Sequence, residues 1–160
     1  MKMTLNGLAA MALLALSACD GAASEPAIKA TTKMTGDLAI TLEDVQVDRD
    51  VGPIGLIETA PEGAIYVLTK YNLKNVGKAG LSMDKWPQPV LVDPAGTKLK
   101  PEIFASTAMS ASDNPSWAED LNPNLATNVT QVWKVDANSF DRAKWTLQFE
   151  TKPAQSFELK

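Results

Sequence analysis

Few residues in this chain have side chains suited to covalent or metal chemistry. The sequence contains one cysteine, Cys19, and no histidine. Histidine is the commonest general base and the commonest metal ligand, so its absence narrows the catalytic and metal-binding options. The remaining sulfur groups outside the N-terminal segment, Met34, Met83 and Met109, could bind Cu(I) but are more typical of core packing. We therefore expect no cofactor and no metal centre.

The widest candidate site is the stretch from residue 105 to residue 128, where strand signals are few. It holds Trp117 among carboxylate and amide side chains, including those of Asp113 and Asp120. Such a tryptophan, if exposed, could stack on a sugar ring or anchor a protein partner, and the surrounding oxygens could bind calcium. Alternatively, Trp117 covers an open end of the fold while the polar side chains face water. Long loops without secondary structure are usually functional or disordered.

Two acidic residues of this stretch are the best candidates for catalysis. Asp113 and Asp120 provide the pair of carboxylates that a glycoside hydrolase needs at a defined separation. Acidic pairs on loops are more often solvated. We therefore expect a protein that is not an enzyme, with a hydrolase as the less favoured alternative.

Trp86 is the second aromatic candidate. It lies between Lys85 and the run Pro87-Gln88-Pro89, whose prolines favour an extended backbone. Trp86 could anchor a peptide or polysaccharide, or it could pack on the edge of a sheet, where prolines also protect against pairing with another chain. Trp133 and Trp145 fall in alternating segments and are expected in the core.

The N-terminal segment has the parts of a secretory signal. Lys2 supplies positive charge, residues 8–16 form an apolar run, and small residues follow it. The run is too short for a membrane-spanning helix, which needs about 20 residues. The segment Leu16-Ser17-Ala18-Cys19 resembles the bacterial lipobox, and this resemblance implies cleavage between Ala18 and Cys19 with a lipid on the Cys19 thiol. It predicts a lipoprotein held at the membrane through Cys19.

The residue after the lipobox bears on location. Asp20 resembles the signal that retains enterobacterial lipoproteins in the inner membrane, which favours the periplasmic face of that membrane. The chain has 15 basic and 19 acidic residues, and without Lys2 the mature chain carries a formal charge of −5. No basic run or basic-aromatic stripe is present, so nucleic acid is not an expected partner.

The remaining elements must form a scaffold of short strands. Apolar and polar residues alternate over residues 38–42, 64–74, 129–135 and 145–149, and further short strands are predicted at 90–92, 97–99 and 157–159. Asp93-Pro94-Ala95-Gly96 matches a type I turn. No amphipathic helix of three turns is predicted. We expect an all-β protein, an immunoglobulin-like antiparallel β-sandwich over residues 36–160, after a signal peptide (1–18) and a lipidated tether (19–35).

The order of these signals resembles a known family. The turn Asn75-Val76-Gly77, the turn at residues 93–96 and the segment Leu121-Asn122-Pro123-Asn124 before the later strands are similar to the immunoglobulin-like domains of unknown function in secreted bacterial lipoproteins. The resemblance spans residues 36 to about 152. It implies an immunoglobulin-like fold and a location outside the cytoplasm, and it identifies no catalytic residue.

These observations favour a protein that acts by binding. We expect a lipid-anchored, non-catalytic adaptor domain that contacts an envelope protein. A module that binds cell-wall glycan or a metal ion is the alternative. The membrane itself is a partner through the lipid on Cys19.

Overall fold

The structure, a computed structural model, describes residues 28–160 of the chain. The predicted signal peptide, the cleavage site at Ala18 and Cys19, and the sorting residue Asp20 lie outside the described residues. Those assignments stay predictions. Across residues 28–160, the helical segments are too short or too polar to cross a bilayer.

Ten strands, one α-helix and one 3₁₀ turn (Met83–Lys85) form the described part of the chain. The strands and the helix, in chain order, are β1 (Thr31–Thr35), β2 (Leu38–Asp48), β3 (Asp50–Val51), β4 (Glu58–Thr59), β5 (Ala64–Asn75), β6 (Pro89–Val92), β7 (Lys98–Leu99), α1 (Ile103–Asp113), β8 (Ala126–Asp136), β9 (Thr146–Phe149) and β10 (Gln155–Glu158).

Two four-stranded antiparallel sheets face each other. The first has the order β1-β2-β5-β8 and the second the order β10-β9-β6-β7, while β3 and β4 form a separate hairpin. The chain changes sheet three times, after β5, after β7 and after β8. The prediction of an all-β antiparallel β-sandwich is confirmed, and the predicted strands correspond to β2 and β5 to β10.

The main core lies between the two sheets. The first sheet contributes alternate residues of its long strands, because successive side chains of a strand point to opposite faces. Tyr71 of β5 meets Phe149 of β9 edge to face, with ring centroids 4.9 Å apart. Trp133 and Trp145 are buried in this core, as predicted, and the Trp133 indole N–H donates to the carbonyl oxygen of Leu99 in β7 (3.2 Å).

Helix α1 covers part of the outer face and the free edge of the first sheet. Its Ala105 joins a second core cluster with Tyr66, Leu68 and Val132. The hydroxyls of Ser106 and Ser110 bond to the main chain of β8. Because β8 is an edge strand, these bonds satisfy main-chain groups that would otherwise lack a partner strand.

The helix corrects one prediction. Residues 105–128 were interpreted as a long loop, and no three-turn helix was expected, but residues 103–113 form α1. The side chains that α1 buries are Ala105, Ser106 and Ser110, which are too small and polar to give the apolar periodicity by which an amphipathic helix is recognised.

Two local predictions have different outcomes. The Asp93 to Gly96 turn is present: the Gly96 N–H donates to the Asp93 carbonyl (3.0 Å), and the Asp93 carboxylate accepts the N–H groups of Ala95 and Thr97 (both 2.8 Å). The predicted tether, in contrast, overlaps strand β1 at residues 31–35. That strand is polar and largely exposed, so its pairing with β2 depends on the main chain rather than on an apolar pattern.

Candidate functional site

The two candidate tryptophans line one groove, although they are distant in sequence. A groove of about 330 Å³ is lined by Trp86, Trp117, Tyr71 and Gln131, together with prolines and the first turns of α1. We call it the aromatic groove. Both sheets, α1 and the segment before β6 contribute to it, so it depends on the complete fold.

Trp86 is held by the segment that precedes β6. Its backbone N–H donates to Met83 (3.1 Å), which closes the 3₁₀ turn, and its own backbone is extended. The side chain is buried and lies between the aromatic groove and a second cavity of about 470 Å³. Its indole N–H has no acceptor within the described part of the chain. Trp86 belongs to the main core cluster, and the sequence offers no signal for its unpaired donor.

Trp117 follows the end of α1 on a turn fixed by Asn114. The Trp117 N–H donates to the Asn114 carbonyl (3.0 Å), and the Asn114 side chain bonds to Ser116 (3.2 Å) and Thr127 (2.9 Å). The Trp117 side chain is half-buried at the groove. It is therefore partly accessible to a ligand in the groove.

Asn75 joins the two segments that carry these tryptophans. Its buried side-chain amide donates to the carbonyls of Ala79 and Leu121 (both 2.7 Å) and accepts the Gly77 N–H (2.9 Å). Leu81 and Leu121 also pair through their main chains (3.0 and 2.9 Å). The pairing explains how residues 31 positions apart come to share one groove.

The groove continues onto exposed apolar residues. Ile103 and Phe104, at the start of α1, are 81% and 75% exposed, and Met83 on the 3₁₀ turn is 40% exposed. Ile103 and Met83 both line the groove. The sequence predicts no element for residues 100–104 and therefore does not select these residues. A helix-start signal was available in Pro101-Glu102, since proline and acidic residues are common before or within the first helical turn.

The floor of the groove contains neutral polar groups. Burial raises the pKa of the Tyr71 hydroxyl well above its usual range, and a hydrogen bond with Gln131 lowers it in part. Tyr71 is therefore uncharged at neutral pH. It can offer a hydroxyl to a ligand, but it does not supply a base.

The two candidate carboxylates are not part of this groove. Asp113 ends α1 and contacts the Lys70 ammonium (2.9 Å) and the Thr130 hydroxyl (2.8 Å) in a separate cavity of about 130 Å³. Burial raises the Asp113 pKa, but the hydrogen bonds from Lys70 and Thr130 and the charge of Lys70 outweigh it, so the pKa lies below its usual value. Asp120 is exposed. A general acid would need a raised pKa, which Asp113 does not have.

A metal site was weighed as an alternative at the sequence level. Within residues 28–160, no group of three or more histidine, cysteine, aspartate or glutamate side chains is arranged to hold a metal ion. The carboxylates described above are engaged in an ion pair or face solvent instead.

The arrangement defines the class of this protein as an antiparallel β-sandwich with an aromatic groove between its sheets and its helix. The chain belongs to the family of the uncharacterized protein YxkC of Bacillus subtilis (strain 168): the two are 33% identical over 122 residues, which cover 74% of this chain and 67% of that protein. No protein-family model matches the chain.

Two solved structures share the fold. A conserved hypothetical protein from Bacillus anthracis has a TM-score of 0.71 at 16% identity, with 81% of this chain and 94% of that chain covered. An uncharacterized β-sandwich protein from Clostridium difficile 630 has a TM-score of 0.54 at 14% identity, with 84% and 93% covered. At these identities the likeness concerns the fold alone.

Proposed function

We propose that this protein is a non-catalytic binding domain, anchored by a lipid on Cys19 at the periplasmic face of the cell membrane, which binds an envelope protein in its aromatic groove. The observation that carries the proposal is the convergence of Trp86 and Trp117 on one groove bordered by exposed Ile103 and Met83. Aromatic residues that are partly buried around a concave surface are typical anchors of protein interfaces.

The unpaired indole N–H of Trp86 favours a peptide as the ligand. A buried donor without an acceptor costs about 1–3 kcal/mol, and Trp86 has none among the described residues. This nitrogen is inaccessible in the free domain, so a main-chain carbonyl of an extended segment would satisfy the donor by drawing the Trp86 ring toward the groove. Apolar side chains of the segment would contact the prolines and aromatic rings of the groove. Binding would then relieve an unfavourable feature of the free domain.

A glycan is the second candidate ligand. The half-exposed ring of Trp117 is suited to stacking on a sugar, and Gln88, Thr107 and Gln131 line the same groove with amide and hydroxyl groups. Titration of cell-wall glycan fragments with detection of tryptophan fluorescence tests this candidate. A saturable change in the wild-type protein that is lost in Trp117→Ala would support the glycan; an unchanged spectrum favours the peptide.

The anchor is tested independently of the groove. Mass spectrometry of the protein from membranes should show a chain that begins at Cys19 and carries acyl mass, and Cys19→Ser should release the protein from the membrane. A mature chain that begins elsewhere without added mass would contradict the anchor and would leave the groove argument unaffected.

The groove is tested by crosslinking in intact cells. Trp117→Ala and Ile103→Ala should reduce capture of a discrete envelope protein several-fold, because both remove apolar contact area from the groove. Met34→Ala is the matched control, since Met34 is 54% exposed on β1, at the opposite edge of the first sheet from β8. Equal capture by the control and the groove variants would refute the proposal.

Trp86→Phe isolates the role of the unpaired donor. The substitution keeps an aromatic ring but removes an N–H group that has no acceptor in the described structure. We expect reduced partner capture with little loss of folding stability. A variant that loses stability and binding to the same degree would show that Trp86 acts through packing alone.

A further inference from the structure

The β3–β4 hairpin presents a large apolar surface to solvent. Ile54, Leu56 and Ile57, at its tip, are 103%, 65% and 64% exposed. No residue from Val51 to Ile57 carries a charge. Single exposed apolar residues are ordinary, but a contiguous group of this kind marks an interaction surface.

The base of the hairpin is firmly attached to the sandwich. Val51 and Ala60 are buried in the second core cluster, and the Arg49 guanidinium donates to the Ala60 carbonyl (2.9 Å). The Tyr66 hydroxyl donates to the Glu58 carboxylate (2.6 Å). These contacts fix the hairpin, so the apolar tip is held in a defined position away from the core.

The described chain enters the sandwich from the side on which the hairpin lies. In the β1–β2 pair, Thr31 lies opposite Leu42 and Thr35 lies opposite Leu38. Leu42 is near the middle of β2, so β1 starts at mid-strand, and the residues before Thr31 approach from the side toward which β2 runs into β3 at Asp50. Ile28, the first described residue, is buried in the main core. The N-terminal segment thus joins the domain roughly 20 Å along β2 from the end that leads into the hairpin.

The length of that segment limits how far the domain can lie from the membrane. Ile28 is nine positions after Cys19, with eight residues between them. A chain of nine steps spans at most about 30 Å when fully extended. A lipid on Cys19 would consequently hold the point where the chain enters the domain within this distance of the bilayer, with the hairpin on the same side.

We propose that the tip of the β3–β4 hairpin, formed by Ile54, Leu56 and Ile57, docks into the lipid bilayer to which the chain is anchored. The proposal rests on the lipid anchor proposed above. Apolar side chains at the end of a fixed hairpin suit the boundary between headgroups and acyl chains. Since residues 51–57 are uncharged, docking should depend on apolar contact and should be insensitive to salt.

A fluorescent probe at the tip tests this contact in the full-length lipidated protein. Ile54→Cys introduces a single reactive thiol, because Cys19 is the only native cysteine and its thiol would carry the lipid. The variant is labelled with an environment-sensitive dye and reconstituted into phosphatidylcholine vesicles with brominated acyl chains. Leu125→Cys is the matched control, since Leu125 is 55% exposed beside Ala126, at the other end of the sandwich.

We expect the dye at position 54 to emit at shorter wavelength and to be quenched by the brominated lipid several-fold more than the dye at position 125, at low and high salt alike. Equal quenching at the two positions, with acyl mass confirmed on Cys19, would overturn the docking and leave the anchor intact. Labelling of the wild-type protein at an unmodified Cys19 would overturn both. Quenching at position 54 that disappears at high salt would also refute apolar docking.

Discussion

The hydrogen bonds between α1 and the edge of β8 give a quantitative prediction. The buried Ser110 hydroxyl donates to the Thr130 carbonyl (2.7 Å) and accepts the Thr130 N–H (3.0 Å). Replacement by alanine leaves both groups without a partner. At about 1–3 kcal/mol for each buried unsatisfied group, Ser110→Ala should lower the free energy of unfolding by about 2–6 kcal/mol.

Ser106→Ala should have about half this effect. The Ser106 hydroxyl accepts the Val132 N–H (2.9 Å), which would lose its partner. The Val132 carbonyl, however, also accepts the Glu102 N–H (2.7 Å), so it remains bonded in the variant. One unsatisfied group instead of two predicts a loss of about 1–3 kcal/mol in the free energy of unfolding.

Urea unfolding measures the free energy of unfolding of both variants. An unchanged slope of this free energy against urea concentration would show that each variant keeps the folded state. Ser112→Ala is the control, because Ser112 is exposed on the same helix and alanine is the better helix former. We expect the control to be neutral or slightly stabilised. Equal losses of stability for Ser106→Ala and Ser110→Ala, or negligible loss for both, would refute the proposal that α1 satisfies the main-chain groups of edge strand β8.

Three further predictions concern other elements. Asn75→Ala removes three hydrogen bonds of a buried amide, so it should cost about 3 kcal/mol at about 1 kcal/mol per bond, measured by urea unfolding; a loss below about a third of this would contradict the role of Asn75. Asp113 has a lowered pKa, so its pairing with Lys70 stabilises the fold above the unfolded pKa of about 4 and is lost as the pH falls through the lower folded value. The free energy of unfolding of the wild type should therefore exceed that of Asp113→Asn by about 0.5–1 kcal/mol at neutral pH, and the two values should converge in acid. A difference that does not depend on pH would refute this. Gly52 has φ +132°, and a Cβ there would lie 2.1 Å from the Leu56 carbonyl oxygen. Gly52→Ala should therefore lower the free energy of unfolding by about 1–3 kcal/mol and speed amide hydrogen exchange in β3 and β4. Unchanged exchange would show that the turn adapts to the new side chain.

The strands of the sandwich could be predicted because their side chains obey a local rule. In β5, Ile65, Val67 and Tyr71 face the main core, while Tyr66 and Leu68 face the second cluster. Where both faces are buried, the strand reads as a near-continuous apolar run, and toward its end polar Asn72 and Lys74 alternate with buried Leu73. The turn after β6 was equally predictable, since its hydrogen bonds are made by neighbouring residues.

The site could be predicted only in part. Trp86 and Trp117 were selected by residue type, but their common groove depends on the Leu81–Leu121 pairing and on the Asn75 amide, which join residues far apart in sequence. The carboxylate pair was a weaker prediction, because no local signal indicates that Asp113 binds Lys70. Long-range contacts of this kind leave no periodic pattern.

The positions of the groove and the hairpin within the fold bear on how an anchored domain could bind a partner. The groove is lined by Tyr71 of β5 and by Val129 and Gln131 of β8, which pair with Tyr71 and Thr69, whereas the hairpin lies where β5 starts at Ala64. Tyr71 follows Ala64 by seven positions, which corresponds to roughly 23 Å along the strand. Docking of the hairpin in the bilayer would therefore hold the groove above the membrane surface, where a partner in the envelope can reach it without displacing the domain from the lipid.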